Sequence, residues 1–423
     1  MTYIIDENNI LDIEELRYKV EKRKHKNKKA INMLTDWNPT VNEEKPILKT
    51  KLTGFQNIGN SCFMNSFLQI LFHTPYFLET LKESNKDKND ILIDSLIQLS
   101  ENHKKVYLLK KIKKLMADID KSYETKVQND SQEFGIFLIN KIISNIKGNL
   151  KFNDDDYYNS EEININNCKE HKLQKFNEYK KIYCIKETLL DKMFQFHEIL
   201  FNIDSHEQIF CNYKKIDFNS FLNIELSFPF NNKKNIYNLS ELLEYKYPKN
   251  PLLEINTESI SKLKELWKKF LEKIKQLFNR FCGEENEENI RYNDDINDLY
   301  YSNLVTLPNI LIISINRALL GKSINKNILI FEETLDLKNY LDNDFLANQD
   351  TKYKLFGVNI CYKSFFESGH YYSFVKIDDK WHKFDDDKPV VIQEPEFESK
   401  YVVGLYYVKE KYNYKEEILT SIY

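Results

Sequence analysis

Residues 54–72 read GFQNIGNSCFMNSFLQILF. Glycine is scarce in this chain, nine in 423 residues, yet Gly54 and Gly59 both fall in this stretch. So close a pair in so glycine-poor a sequence points to a backbone that ordinary side chains could not follow. From Cys62 onward, Phe63, Phe67, Ile70 and Leu71 are spaced at i, i+4, i+7 and i+8, one face of an amphipathic helix expected to run to about Leu81. Asn60 or Ser61 is the candidate cap, which sets the Cys62 thiol at a helix N-terminus, where backbone N–H groups and the macrodipole favour thiolate. Cys62 is therefore a candidate nucleophile. A structural cysteine is the competing reading, and the commoner one.

A nucleophilic thiol needs a base and a group that orients the base. Residues 368–387 read SGHYYSFVKIDDKWHKFDDD, two strand-like runs joined at Asp378-Asp379, which predicts a β-hairpin. Centred on that turn, the register sets His370 opposite Asp387 and diagonal to Asp385, so a carboxylate can orient the imidazole. Taken alone, His370 is an ordinary hydrogen-bonded histidine and Asp386 and Asp387 belong to a solvated loop.

Together these segments resemble the ubiquitin-specific proteases, papain-like deubiquitinases. The first is similar to their cysteine box, G-L-x-N-L-G-N-T-C-Y-M-N-S-x-L-Q, and QNDSQEF (Gln128–Phe134) to their Q-Q-D-A-H-E-F segment. LPNILIISINRA (Leu307–Ala318) resembles L-P-x-x-L-x-x-x-L-K-R-F, and the hairpin resembles the histidine box, G-H-Y-x-A-Y…W-x-x-F-D-D. The four segments come in the family's order and span most of the chain.

The resemblance implies an α+β, papain-like cysteine protease fold with a helical thumb, a β-sheet palm and β fingers. Cys62 would attack the carbonyl of the ubiquitin C-terminal glycine, His370 would act as base and then acid, and Asp385 would orient it. Asp386 is a candidate supporting acid. Asn57 matches the oxyanion-hole asparagine, its amide acting with the Cys62 backbone N–H; read from composition alone, it is a turn residue. Gln128, Asp130 and Glu133 match positions that grip the arginine-bearing ubiquitin tail, since carboxylates accept bidentate bonds from Arg. Asp130 and Glu133 equally suit capping of the following helix, and both roles can coexist. Tyr371 matches a residue lining the channel near the scissile bond. The partners implied are ubiquitin and ubiquitinated proteins, with no metal or organic cofactor in catalysis. Two other functions stay open on the same fold: an inactive ubiquitin-binding scaffold, and a protease for a ubiquitin-like modifier.

Working outward, residues 1–50 form a basic helical extension and linker: RYKVEKRKHKNKK carries eight Lys/Arg against one Glu, then Pro39 and Pro46 follow. Its readings are a solvated helix face, a localisation signal, or an arm that folds over a site. The catalytic domain is expected over 51–410, with the thumb at about 51–190, fingers at about 191–300 and palm at about 301–410; 411–423 form a tail. A second helix is expected around Gln132 to Ile143, a polar surface insertion at 148–182, and a helical insertion within about 248–282. β-type runs are expected at Phe194–Ile203, Gln208–Tyr213, Phe221–Phe228, Asn309–Ser314 and Ile328–Phe331, with strands dominating from Tyr353 to Val408.

Composition agrees with this and narrows the alternatives. With 61 Lys+Arg against 65 Asp+Glu, the net charge of -4 is too balanced for a protein built mainly to neutralise phosphates, so nucleic-acid binding is not expected. No run of 18 apolar residues and no signal-peptide pattern appear. Six cysteines without paired spacing suit a reducing, intracellular compartment, and a monomer is expected.

Several positions depart from the family pattern. Many relatives hold a fingertip zinc with two C-x-x-C pairs; here each pair keeps one cysteine, in QIFC (Gln208–Cys211) and CGEE (Cys282–Glu285). Two thiolates cannot complete such a site, so no structural zinc is expected unless His206 or Cys184 rebuilds it. Tyr362–Ser364 stands where relatives often have H-x-G, and Ser61, Phe63 and Gly135 replace Thr, Tyr and Leu.

Overall fold

Helix α1 (Cys62–Phe72) is buried along its whole length, polar positions included. The one-faced amphipathic pattern therefore understates it, because its polar side chains serve as internal anchors for the segment that leads into it. Asn65 Nδ2 donates to the Phe55 carbonyl at 3.3 Å, and Gln69 Nε2 donates to that of Thr53 at 3.0 Å. The helix also stops well before Leu81. Pro75 cannot continue an α-helix, the chain turns through Tyr76 at a φ of 61°, and α2 (Phe77–Asn85) begins anew. The expected cap is absent too: Ser61 occupies the N-cap position without a side-chain capping bond.

The computed structural model describes residues 52–85, 89–124, 128–148, 168–184, 187–204, 213–229, 234–248, 298–318, 324–347, 349–362, 369–412 and 414. The basic extension, His206, Cys211, Cys282 and the helical stretch at 259–281 lie outside the described residues, as do Lys363 and Ser364.

Around α1 stand α3 (Ile91–Glu101), α4 (Val106–Ile119) and α5 (Ser131–Lys147). Asp90 caps α3 and Asp130 caps α5, each carboxylate accepting from two amides of the first turn. α5 contains the helix expected at Gln132 to Ile143 and packs on α1 through aromatic edges, with Phe63 and Phe134 centroids 5.4 Å apart. One departure from the family pattern is explained at this contact. A Cβ at Gly135 would lie 2.0 Å from the Phe67 ring, so a small residue on α5 makes room for a large one on α1.

The segment read as a polar insertion is helical at its described end. α6 (Cys168–Tyr183) buries Phe176 and Tyr179, and its Lys172 reaches Asp342 at 2.8 Å and Asp344 at 3.0 Å. After α7 (Leu189–Phe194), β1 (Phe196–Asp204) lies between β2 (Tyr213–Phe221) and β5 (Asp298–Thr306) in an antiparallel sheet onto which α6 packs. Between them come β3 (Ile224–Ser227), β4 (Ile236–Asn238) and α8 (Leu239–Lys246).

The largest sheet contains β6 (Ile310–Asn316), β9 (Lys352–Tyr362), β10 (His370–Ile377), β11 (Lys380–Phe384) and β14 (Val402–Lys409). Its order is β12-β11-β10-β9-β14-β6-β3, with β12 (Val391–Ile392) at one edge and β8 (Thr334–Asp336) also paired to β9. A small third sheet joins β13 (Glu398–Ser399), β7 (Ile328–Ile330) and β4. The main sheet is covered on both faces: Ile310 and Ile312 join the core around α1, whereas Leu311 and Ile313 join a second core beneath. Double coverage is why Leu307–Ile315 reads as a nearly unbroken apolar run rather than an alternating one. No helix among the described residues is long and apolar enough to cross a membrane.

Candidate active site

The site lies where the N-terminus of α1 meets the β10–β11 hairpin. Asp378 and Asp379 form the hairpin turn with φ of 48° and 60°, and pairing runs from Ile377↔Lys380 to Ser373↔Phe384, the expected register. The ladder stops there, so His370 is not held opposite Asp387 by strand pairing. The chain leaves the strand instead, and Asp385 reaches the ring: Asp385 Oδ1 is 2.6 Å from His370 Nε2.

Cys62, 4% exposed, also contacts the His370 ring. This hydrogen bond with the sulfur, with Asp385 second, raises the imidazole to about 9 against the opposing effect of burial. Asp385 is itself held below the usual carboxylate range: burial would push it up, but Lys388 Nζ, 2.9 Å from Oδ2, and His370 outweigh that. Lys388 was not foreseen from the sequence, although its spacing of three from Asp385 is that of the turn in which its amide donates to the Asp385 carbonyl at 3.1 Å.

Asn57 is fixed at both ends of its amide. Its Oδ1 accepts from the Gly59 amide at 3.0 Å and from the Ser61 amide and hydroxyl at 3.3 Å, while Nδ2 donates to Asp386 Oδ2 at 2.9 Å. Asp386 Oδ1 accepts from Asn65 Nδ2 at 2.8 Å, so this acid bonds to two asparagines of the cysteine segment rather than to the histidine. Asn65, three residues along from Cys62, is a second group missed from sequence. The two glycines also find their reasons here. Gly59 has a φ of 102°, and a Cβ at Gly54 would lie 1.8 Å from the Asp386 carbonyl oxygen.

The QNDSQEF segment comes to the same place, but its residues divide their tasks. Gln128 Nε2 donates to Cys62 Sγ at 3.6 Å. Asp130 Oδ1 accepts from the Gln132 and Glu133 amides at 2.7 and 2.9 Å, and Oδ2 accepts from the Tyr371 hydroxyl at 3.4 Å. Tyr371, expected to line the channel, is 2% exposed; its ring packs in the core beside Cys361, its cross-strand neighbour on β9. Glu133 stays at the surface, its carboxyl raised by burial and by Asp130. Among the described residues, His370, Asp385 and Asp386 form a group of three candidate metal ligands, with atoms within 4.8 Å of one another. Each is already engaged: His370 with Asp385, Asp385 with Lys388, and Asp386 with Asn57 and Asn65.

Residues 53–408 match the family model described as ubiquitin carboxyl-terminal hydrolase. The chain is 25% identical over 405 residues to ubiquitin carboxyl-terminal hydrolase 8 of Saccharomyces cerevisiae, covering 86% of this chain and 71% of that protein. It is 32% identical over 94 residues to ubiquitin carboxyl-terminal hydrolase 37 of Mus musculus, covering 20% of this chain and 10% of that one. Such matches span only about a tenth of these longer relatives. Among solved structures, a chain of the SAGA Ubp8/Sgf11/Sus1/Sgf73 DUB module bound to ubiquitin aldehyde superposes with a TM-score of 0.56 at 18% identity, covering 91% of this chain and 74% of that one. This likeness carries the fold, the papain-like α+β arrangement of thumb, palm and fingers. The family match runs from Thr53, in the segment leading into Cys62, to Val408 in the last strand of the main sheet, and the chain belongs to the ubiquitin carboxyl-terminal hydrolase family.

Proposed function

We propose that this chain is a thiol-dependent deubiquitinase, hydrolysing the peptide or isopeptide bond at the C-terminal glycine of ubiquitin. The observation that carries the reading is the placement of His370 between the Cys62 sulfur and the Asp385 carboxylate, in a chain of this family. His370, bonded to the sulfur and raised to about 9, is a ready acceptor for the Cys62 proton. Cys62 Sγ then attacks the glycine carbonyl and charge moves onto the carbonyl oxygen. The second Nδ2 hydrogen of Asn57 and the Cys62 backbone N–H are the donors for that oxyanion. Collapse breaks the C–N bond, the leaving amine takes the His370 proton, and a thioester remains. Water attacks next, gives a proton to His370, and releases the ubiquitin carboxylate and Cys62.

Within this reading Asp385 orients His370, whereas Asp386 positions Asn57 rather than assisting the histidine. Glu133 is the surface carboxylate available to an arginine of the incoming tail, while Asp130 and Tyr371 support the frame from behind. The test is release of a fluorogenic group from the ubiquitin C-terminus, with Cys62→Ala and a ubiquitin-like analogue in parallel. Turnover lost in Cys62→Ala and weak on the analogue supports the reading. Faster turnover of the analogue would reassign the chain to that modifier, and binding without turnover would make it a scaffold.

A further inference from the structure

Gln128 donates a hydrogen bond to the sulfur of Cys62, at 3.6 Å from Nε2 to Sγ. The donor comes from outside the segments that carry Cys62 and His370, and it is well held. Two residues on, Asp130 is locked by the two amides at the start of α5 and by the Tyr371 hydroxyl. The chain beside Gln128 is thus fixed against both the helical lobe and β10. A carboxamide N–H bonds a sulfur anion more strongly than a neutral thiol, which is a weak acceptor.

The titratable groups facing the sulfur are His370 on β10 and Cys361 on β9. Burial pushes the Cys361 thiol to about 12, so it carries no charge at neutral pH. Asp130 stands beyond Cys361 at the start of α5, and Asp385 with Lys388 stands beyond His370. In this set His370 is the direct cationic partner, and its help ends when it loses its proton. Gln128 cannot titrate, so its donation persists at every pH.

We propose that Gln128 is a further catalytic residue, whose carboxamide stabilises the Cys62 thiolate that attacks the substrate. This rests on Cys62 being the nucleophile. When Cys62 loses its proton to His370, the Gln128 N–H bonds the anion; when the sulfur lone pair forms the bond to carbon, the charge passes to the carbonyl oxygen and that hydrogen bond weakens. Gln128 is then free to serve the substrate tail, so stabilising the thiolate and binding the tail become successive tasks of one side chain.

The ionisation of the sulfur is read without ubiquitin, and the tail contact with it. Alkylation of Cys62 by iodoacetamide is followed from pH 5 to 10 on the full chain by the mass of its peptide, for wild type, Gln128→Leu and Gln128→Glu. Turnover of the fluorogenic ubiquitin substrate is measured alongside. Gln128→Leu is expected to move the alkylation curve to higher pH and slow alkylation on its rising limb about tenfold. Gln128→Glu, nearly the same size, is expected to move it further, because a carboxylate repels the thiolate. A Gln128→Leu curve superimposed on wild type, with only KM for ubiquitin raised, would overturn the inference and leave Gln128 a substrate contact. If wild-type Cys62 is alkylated no faster than Cys184 at neutral pH, the nucleophile reading fails and the inference fails with it.

Discussion

Among the described residues two cysteine–histidine pairs stand out, and they differ in almost everything except the pairing. Away from the site, Cys184 Sγ is 3.4 Å from His197 Nε2, and the other ring nitrogen of His197 is 2.7 Å from the Thr306 hydroxyl. Burial and the nearby Lys180 depress that imidazole to about 4, while burial and Glu187 raise the Cys184 thiol. Both partners are therefore neutral at pH 7. At the site, the third member is a carboxylate and the imidazole is raised to about 9. A hydroxyl can orient a ring as well as a carboxylate can, but the carboxylate adds its charge to the bond from the sulfur in offsetting the cost of charging the ring. Proximity of thiol and imidazole is thus insufficient; the charge on the third group and the depth of the pair decide whether it can do chemistry.

The largest effect that could break this contrast is loss of either thiol. Cys62→Ala is expected to lower kcat/KM on the fluorogenic ubiquitin substrate by about 10⁴-fold or more, whereas Cys184→Ala keeps turnover within about twofold of wild type, since it removes only a neutral contact. Equal losses from the two would show that the second pair belongs to the machinery. Next in size is the orienting group. Asp385→Asn keeps the shape but removes the charge and favours the wrong tautomer, an expected loss of about 10²- to 10⁴-fold. Thr306→Val, the matching change at the other pair, should leave kcat unchanged and show only in thermal unfolding.

The sequence made the first pair legible because its parts obey short-range rules. A two-residue turn sets the hairpin register, and a helix start follows a glycine with positive φ. Pairs set by distant contacts were not legible. Gln128 and Cys62 are 66 residues apart, and nothing local in QNDSQEF announces a bond to sulfur. Lysine three residues after an acid reads as solvated surface until the strand is seen to end at Phe384 and turn Asp385 inward. α6 looked like polar insertion because its lysines, glutamates and asparagine dilute the apolar face of Phe176 and Tyr179. Its ion pairs lie as much as 172 residues away, at Asp342 and Asp344. The break at Pro75 is local and readable, but the apolar periodicity on either side of it continues as though the helix did.

Acid sharpens the comparison through stability. His197 and His73 are both lowered from about 6.5 to about 4, chiefly by burial. A group whose folded pKa lies below its unfolded value takes up its proton first in the unfolded chain, so stability falls as pH drops from 6.5 towards 4. Near pH 5 each histidine costs about 2 kcal/mol. His370 behaves oppositely: raised to about 9, it adds stability that is complete below 6.5 and is lost as pH rises through 9. Urea unfolding at pH 7.5 and pH 5 should show a loss on acidification, and His197→Asn should remove about half of the part due to these two histidines. A variant that keeps the whole loss would show that His197 charges without cost in the fold.

The smallest expected effect concerns Lys388, which has no counterpart at Thr306. Its side chain is 63% exposed and Asp385 15%, so the pair is screened on one side and worth no more than about 1 kcal/mol. Lys388→Met should therefore lower kcat/KM at neutral pH by no more than about fivefold, and by less in high salt. Its signature is in the pH profile. With the cation gone, Asp385 binds a proton more readily and the acid limb moves up; the carboxylate charge then falls wholly on His370, so the alkaline limb moves up as well. Lys388→Arg, which keeps the charge, should restore both limbs. If neither limb moves in Lys388→Met at low salt, the ammonium only fills solvent space, and His370 is set by Cys62, Asp385 and burial alone. If both move together, the difference between the two cysteine–histidine pairs extends one residue beyond the carboxylate, to the group that decides how much of that carboxylate the histidine receives.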